Sequence, residues 1–152
     1  MDDLSYMRLA LDQAQLAYDQ DEVPVGAVLV DKNGVLLASA YNQVISLHDP
    51  SAHAEVQVMR KASVQLQNYR LVDTTLYVSL EPCMMCYGAM VHARIKRLVY
   101  ATPEPKAGVV TSQLKAPSLN FLNHKISVDC GPLGDESRAL LQQFFAKKRL
   151  NK

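Results

Sequence analysis

The chain has few cysteines, no long apolar run and almost no net charge. Its 152 residues include three cysteines, an odd number that does not make the disulfide framework of a secreted protein. No apolar run reaches the roughly 18 residues that a membrane span needs. Asp2 and Asp3 lie where a secretory signal would carry positive charge. These absences argue against a secreted or membrane-spanning chain, and we expect a cytoplasmic protein with no membrane partner.

The balance of charges argues against a second class of protein, the non-specific polyelectrolyte binders. There are 16 Lys and Arg residues against 15 Asp and Glu residues, a net charge of +1, whereas a non-specific polyelectrolyte binder would be strongly basic. The charges are unevenly spread, however. The first 35 residues carry seven acidic and two basic side chains, while the last twelve carry four basic and no acidic side chains. A specific nucleic-acid partner, bound through a local patch, is compatible with this nearly neutral chain.

The spacing of apolar residues predicts alternating helices and strands. Helices are predicted over residues 3–18, 52–67 and 83–94, with a last one carrying Leu140, Leu141, Phe144 and Phe145. Strands are predicted over residues 23–30, 35–40, 74–79, 98–101 and 126–128. Asn33-Gly34 is typical of a hairpin turn, and Ser51 is expected to cap the second helix. With no internal repeat or linker, residues 1–152 are expected to form one α/β domain in which helices cover a sheet.

A split set of metal-ligand residues is the main chemical signal. His53 precedes the second predicted helix, and Cys83 and Cys86 form a C-x-x-C at the start of the third. One imidazole and two thiolates suit zinc, and three protein ligands leave a fourth position open for water. Both groups lie near helix N-termini, where the helix dipole favours a thiolate over a thiol. A closed structural zinc site and a redox C-x-x-C are the alternatives.

Glu55 lies two residues after His53. At a helix start, residues two apart point in roughly opposite directions, so Glu55 is not expected to be a fourth ligand. It is expected instead to reach the bound water and move protons. The pattern H-x-E followed by P-C-x-x-C is the signature of zinc-dependent nucleobase deaminases, which favours catalytic zinc over the alternatives.

Longer segments carry a more specific resemblance. They are Glu22 to Val28, Asn42, Asp49 to Glu55, Asn68-Tyr69-Arg70, Leu76 to Cys83, Met85 to Met90, Arg94-Ile95 and Phe144-Phe145 with the basic residues behind it. On these segments the chain resembles the bacterial tRNA-specific adenosine deaminases over essentially its whole length. The resemblance implies a three-layer α/β/α cytidine deaminase-like fold, with a central mixed sheet of about five strands flanked by helices. It also implies a homodimer with one Zn²⁺ per subunit.

The same resemblance implies the reaction and the roles of site residues. Adenosine at the wobble position of an arginine tRNA anticodon would be converted to inosine by zinc-activated water. His53, Cys83 and Cys86 would hold zinc, and Glu55 would shuttle protons. The residues implied to bind substrate are Asn42, Val23, Pro24, Val25, Ala54, Glu104, Asn123 and His124. Those implied to contact the RNA backbone are Lys106, Lys125, Lys147, Lys148 and Arg149.

Two positions depart from the family pattern. Glu104 stands where the family has Asp, a residue that contacts the sugar-phosphate beside the target base, and Pro103 and Pro105 flank it. A longer carboxylate there is expected to alter that contact or the substrate range. Tyr87 stands where a small residue is common after the second cysteine, which would reshape either the pocket rim or the dimer interface.

Two other functions remain open from the sequence. The first is a zinc deaminase acting on a free base or nucleoside of the guanine or cytosine type, because guanine deaminases share the segments around Pro24 and His53. The segment Met85 to Met90, Asn123-His124 and the basic last helix favour an RNA substrate instead. The second is a catalytically silent RNA-binding subunit. Glu55 argues against it, because a silent site has no use for that carboxylate.

Overall fold

In the computed structural model, which describes residues 1–151, helices and strands alternate along the chain. The elements are α1 (Asp3–Asp19), β1 (Gly26–Val30), β2 (Leu36–Tyr41), α2 (Ala54–Leu66), β3 (Thr75–Leu80), α3 (Met84–Ala93), β4 (Arg97–Thr102), β5 (Ser127–Cys130) and α4 (Gly134–Leu150). One 3-10 turn, Ala116–Ser118, interrupts the long loop between β4 and β5. Every predicted helix and strand is therefore present, with ends that differ by at most three residues.

The five strands form one mixed sheet in the order β2-β1-β3-β4-β5. β1 pairs antiparallel with β2 and β3, while β3 pairs parallel with β4, and β4 with β5. The hairpin between β1 and β2 turns at Gly34, whose φ of 81° suits glycine. The carboxylate of Asp31 accepts hydrogen bonds from the backbone N–H groups of Asn33 and Val35 and fixes this turn. The predicted hairpin is confirmed.

Alternating strand residues pack against helices on opposite faces of the sheet. On one face, Ala27 and Leu29 of β1 belong to a core with α2 and α3. On the other, Val28 and Val30 pack with α1, and α4 lies against β4, β3 and α1. The layers are therefore helix, sheet and helix, which confirms the predicted three-layer fold. Within residues 1–151, no helix has the length and apolar character needed to cross a bilayer.

The cap of α2 differs from the sequence prediction. His53, not Ser51, is the N-cap of α2, and its backbone is extended at φ −69° and ψ 154°. The Ser51 hydroxyl instead donates to the carboxylate of Asp49 at 2.7 Å, in the turn that contains Pro50. The prediction for Ser51 was wrong because this local Asp–Ser turn competes for the hydroxyl. As a result, α2 begins at Ala54, directly after a predicted metal ligand.

Candidate metal centre and active site

The N-termini of α2 and α3 bring the predicted metal-ligand side chains together. His53 is the N-cap of α2 and Cys83 is the N-cap of α3, and neither side chain makes a capping hydrogen bond. Both side chains are therefore free for another partner. Cys86 lies one turn into α3 and is fully buried. Helix α2 packs on β1 and β2, and α3 connects the parallel strands β3 and β4. His53 and Cys83, which are 30 positions apart in sequence, therefore meet.

The three side chains have the spacing of a metal site. Nδ1 of His53 lies 3.6 Å from Sγ of Cys83 and 3.4 Å from Sγ of Cys86. All three candidate ligand atoms lie within 4.8 Å of one another. Tetrahedral zinc with its usual bond lengths of about 2.05 Å to nitrogen and 2.3 Å to sulfur would separate those atoms by about 3.5 Å. The donor set and its spacing therefore fit zinc.

The electrostatics of the metal-free group favour a thiolate. A hydrogen bond from the Cys86 thiol, helped by His53, lowers the pKa of Cys83 to about 4. The same bond, together with burial, raises the pKa of Cys86. The hydrogen bond to Cys83 also raises the pKa of His53. A cation entering the group would replace the protons that His53 and Cys86 hold.

Glu55 lies beside this group without belonging to it. It is the second residue of α2 and only 4% exposed, and it is not among the three side chains that cluster as ligands. Burial, the largest cause, raises the pKa of Glu55 to about 7. A carboxyl group with that pKa can take up and release a proton near neutral pH.

A small pocket opens in front of these residues. Its volume is about 200 Å³, below the roughly 300–1,000 Å³ of pockets for drug-sized ligands. Its walls are Val23, Val25, Asn42, His53, Ala54, Glu55, Leu80, Glu81, Cys83, Glu104 and Ala107. Nδ2 of Asn42 donates to the carbonyl of Val23 at 3.3 Å. Oδ1 of Asn42 is buried and has no hydrogen-bond partner among residues 1–151, which leaves an acceptor available to a ligand.

Comparison with known proteins decides the family. The profile of the MafB19-like deaminases matches residues 1–149. A tRNA-specific adenosine deaminase from Haemophilus influenzae is 43% identical over 150 residues, covering 99% of this chain and 87% of the relative. This chain belongs to the tRNA-specific adenosine deaminase family.

Solved structures agree with this family and include one relative of another specificity. One structure, from a study of A-to-I editing by tRNA:A34 deaminases at the wobble position of transfer RNA, matches this deaminase with a TM-score of 0.87 at 42% identity. The match covers 90% of this chain and 99% of that one. A guanine deaminase from Bacillus subtilis matches with a TM-score of 0.65 at 30% identity, covering 98% of this chain and 95% of that one.

The residues predicted to bind the base are mostly brought together. The pocket of the deaminase is lined by Val23, Val25, Asn42, Ala54 and Glu104. Pro24 is buried between two of these residues but does not line the pocket.

Asn123 and His124 lie elsewhere, in the long loop between β4 and β5, where they contact the residues that follow α3. Oδ1 of Asn123 accepts a hydrogen bond from the guanidinium of Arg94 at 3.2 Å, and Nε2 of His124 lies 2.7 Å from the carbonyl oxygen of Ile95. Neither residue lines the pocket.

The predicted RNA-backbone lysines fall into two groups. Lys106 and Lys125 are exposed on loops. Lys147 and Lys148 belong to α4 and already contact the end of α1. The ammonium of Lys147 lies 5.1 Å from the centre of the Tyr18 ring, and Lys148 pairs with Asp21. Arg149, the next residue of α4, is exposed.

Tyr87 packs inside the main core and is 3% exposed. Its hydroxyl is buried and has no hydrogen-bond partner in the described part of the chain. Burial of the ring raises the pKa of Tyr87.

Sequence reasoning missed two buried glutamates at the edges of the pocket. Glu22 is 1% exposed, and its carboxylate accepts from the N–H groups of Ile45 at 3.0 Å and Ser46 at 2.7 Å. Glu81 is 2% exposed and accepts hydrogen bonds from the loop that follows β4. Their position in the sequence could have indicated this role. A carboxylate directly beside a buried strand needs hydrogen-bond donors from elsewhere in the chain.

Proposed function

We propose that this deaminase converts adenosine to inosine at the wobble position of an arginine tRNA anticodon, with one zinc ion per subunit held by His53, Cys83 and Cys86. The observation that supports it most directly is the close grouping of these three donor atoms, all within 4.8 Å of one another, beside the buried carboxyl of Glu55. The tRNA specificity is inferred from relatives that match nearly the whole chain, such as the Haemophilus influenzae enzyme.

Glu55 performs the proton transfers in this proposal. Zinc, when bound, supplies Lewis acidity that brings the pKa of a water molecule toward neutrality. Glu55 accepts a proton from the attacking water and delivers it to N1 of adenine, which makes C6 electrophilic. Once the resulting hydroxide has added to C6, Glu55 takes the remaining proton of that hydroxyl and passes it to the amino group, which leaves as ammonia while the C6 carbonyl of inosine forms. The raised pKa of Glu55, about 7, suits a group that must act as both base and acid.

In this proposal the pocket receives the target base. Val23 and Val25 offer apolar walls, and Oδ1 of Asn42 offers an unpaired acceptor to the edge of the base. Entry requires the nucleotide to leave its stack, which costs a few kcal/mol and is easiest in a single-stranded loop. The anticodon loop meets that requirement.

Deamination of an arginine anticodon stem-loop with adenosine at the wobble position tests the proposal. Sequencing after incubation should show inosine at that position only, with release of one ammonia per RNA. The purified protein should hold about one zinc per chain. Chelation should abolish turnover, and added zinc should restore it. A stem-loop with guanosine at the wobble position is the matched control, and absence of inosine in the adenosine stem-loop would refute the proposal.

The guanine deaminase likeness supports one second candidate, a free-base deaminase. Parallel assays with free guanine and cytidine separate the two. Turnover of a free base without inosine in RNA would establish the second candidate.

We also propose that the protein acts as a homodimer. Met84 and Met85 at the start of α3 are 69% and 40% exposed, and large apolar side chains so exposed beside a site are typical of interfaces. Sedimentation equilibrium should give twice the 16.9 kDa mass of the chain. A mass of one chain at micromolar concentration would refute the dimer.

A further inference from the structure

Glu81 is a buried carboxylate that the proposed chemistry does not use. It lies between β3 and the metal-ligand segment and is 2% exposed. We propose that Glu81 is a positioning residue that fixes the loop 104–112 as the RNA-facing wall of the pocket. The inference rests on the proposed function, because that function gives this wall its substrate.

Glu81 gathers five hydrogen bonds from the loop. Oε2 accepts from the backbone N–H groups of Val110 and Thr111, both at 2.9 Å, and of Ser112 at 3.1 Å. Oε1 accepts from the N–H of Glu104 at 3.0 Å and from the Ser112 hydroxyl at 2.5 Å. Both ends of the loop are therefore held by one side chain. Charge-assisted bonds of this kind are stronger than neutral ones.

The hydrogen-bond donors of the loop suit a carboxylate better than a neutral side chain of the same size. Four N–H groups and one hydroxyl converge on two acceptor oxygens, whereas a glutamine would present one oxygen and one NH₂ group to the same donors. Gly108 also packs directly on the group. A Cβ at Gly108 would lie 2.6 Å from both carboxylate oxygens, which is closer than real contacts allow.

Glu81 lines the pocket itself, and the loop that it holds forms a further part of the same wall. Glu104 and Ala107 lie on its pocket side. The Glu104 carboxylate accepts from the N–H of Lys106 at 2.8 Å, so the side chain and the adjacent lysine are ordered by the same turn. Glu81 itself is anchored, because its N–H donates to the carbonyl of Thr102 at 2.9 Å. Loosening the loop would therefore displace groups that face RNA.

Glu81→Gln tests the inference. We expect KM for the anticodon stem-loop to rise about tenfold, with kcat changed less than about threefold and zinc content unchanged. Hydrogen exchange should accelerate at the amides of residues 104 and 110–112 and stay unchanged in β1. Glu136→Gln, an exposed glutamate on α4, is the matched control and should alter neither quantity.

Ser112→Ala supplies a second variant if Glu81→Gln folds poorly. It removes one of the five donors, the Ser112 hydroxyl, and on its own should raise KM by a smaller factor and accelerate hydrogen exchange at residues 110–112. Where Glu81→Gln folds, the effect of Ser112→Ala should shrink in that background, because the two groups share one contact. Equal losses of kcat and zinc with an unchanged KM would overturn the inference and indicate a purely structural role. An unchanged KM together with unchanged hydrogen exchange would also overturn it. Failure of the proposed function is distinguishable, since the wild-type protein itself would then leave the stem-loop unmodified.

Discussion

Replacing Glu55 with glutamine should make the protein more stable while removing its activity. The carboxyl group is 4% exposed, and burial raises its pKa from 4.5 to about 7. Each tenfold change in an ionisation constant corresponds to about 1.4 kcal/mol, so keeping this group charged in the folded metal-free protein costs roughly 3 kcal/mol. Glutamine has the same shape and no charge. Loss of proton transfer should lower kcat by about 10²- to 10⁴-fold.

The sign of the pH dependence follows from the raised pKa. Between pH 4.5 and about 7 the folded protein binds more protons than the unfolded chain at Glu55. The contribution of Glu55 to stability therefore falls as the pH rises through this window and stays low above it. Glu55→Gln should match the wild type near pH 4.5 and exceed it by roughly 3 kcal/mol at pH 8.

Urea unfolding of the metal-free proteins, followed by circular dichroism from pH 4.5 to 8, measures this difference. Glu136→Gln is the matched control, because Glu136 is exposed and pairs with Arg8 at 2.6 Å. That variant should be only slightly destabilised at pH 8, because an exposed ion pair contributes little to stability. A Glu55→Gln variant no more stable than the wild type at pH 8, or stabilised equally at every pH, would refute the burial argument.

Two further predictions concern the scaffold. Gly26→Ala should destabilise the protein by about 3 kcal/mol or more in urea unfolding, because a Cβ there would collide with the backbone of α1. Gly88→Ala should instead stabilise α3 by up to about 1 kcal/mol, because a Cβ there would meet no neighbouring group within 4 Å. Equal effects of the two substitutions would contradict this packing. Asp3→Asn should cost about 1 kcal/mol at pH 7, since Arg97 foremost, and then Tyr77, hold the pKa of Asp3 below 3.8. The contacts with Arg97 and Tyr77 stabilise only the ionised form of Asp3, so the cost of the substitution should vanish as the pH falls below 3.8 and Asp3 becomes protonated. A cost that persists at pH 2 would contradict the ion-pair explanation.

The element order and the metal-ligand group could be predicted because both are encoded locally. Apolar spacing marks α1 and the strands, and Asn33-Gly34 marks the hairpin. The predicted ligands lie in short motifs whose residue types have few other uses, and the structure places His53, Cys83 and Cys86 together, with Nδ1 of His53 3.4–3.6 Å from the two sulfur atoms. Their roles in catalysis remain a prediction.

The ends of elements and the surroundings of the site could not be predicted, because tertiary partners decide them. Ser51 has the residue type of a helix cap, yet Asp49 takes its hydroxyl and leaves His53 at the N-cap. The last helix appears as a free basic surface in sequence. In the fold, Lys148 pairs with Asp21, which lies 127 positions away. An RNA phosphate at Lys148 would compete with that carboxylate.

Polar satisfaction acts together with apolar packing to set the position of the loops around the pocket, since the loop that Glu81 holds also buries Val109 and Val110 in the main core. Glu22 and Glu81 each stand beside a segment that lines the pocket, and each binds backbone N–H groups 23 to 31 positions further along the chain. A hydrophobic pattern has no signal for such a contact, because the donors are backbone groups that every residue possesses. Burial of a carboxylate is costly unless its donors are placed in advance. Each glutamate therefore couples the position of a distant loop to the site, which explains why the walls of the pocket depend on residues whose role no hydrophobic pattern reveals.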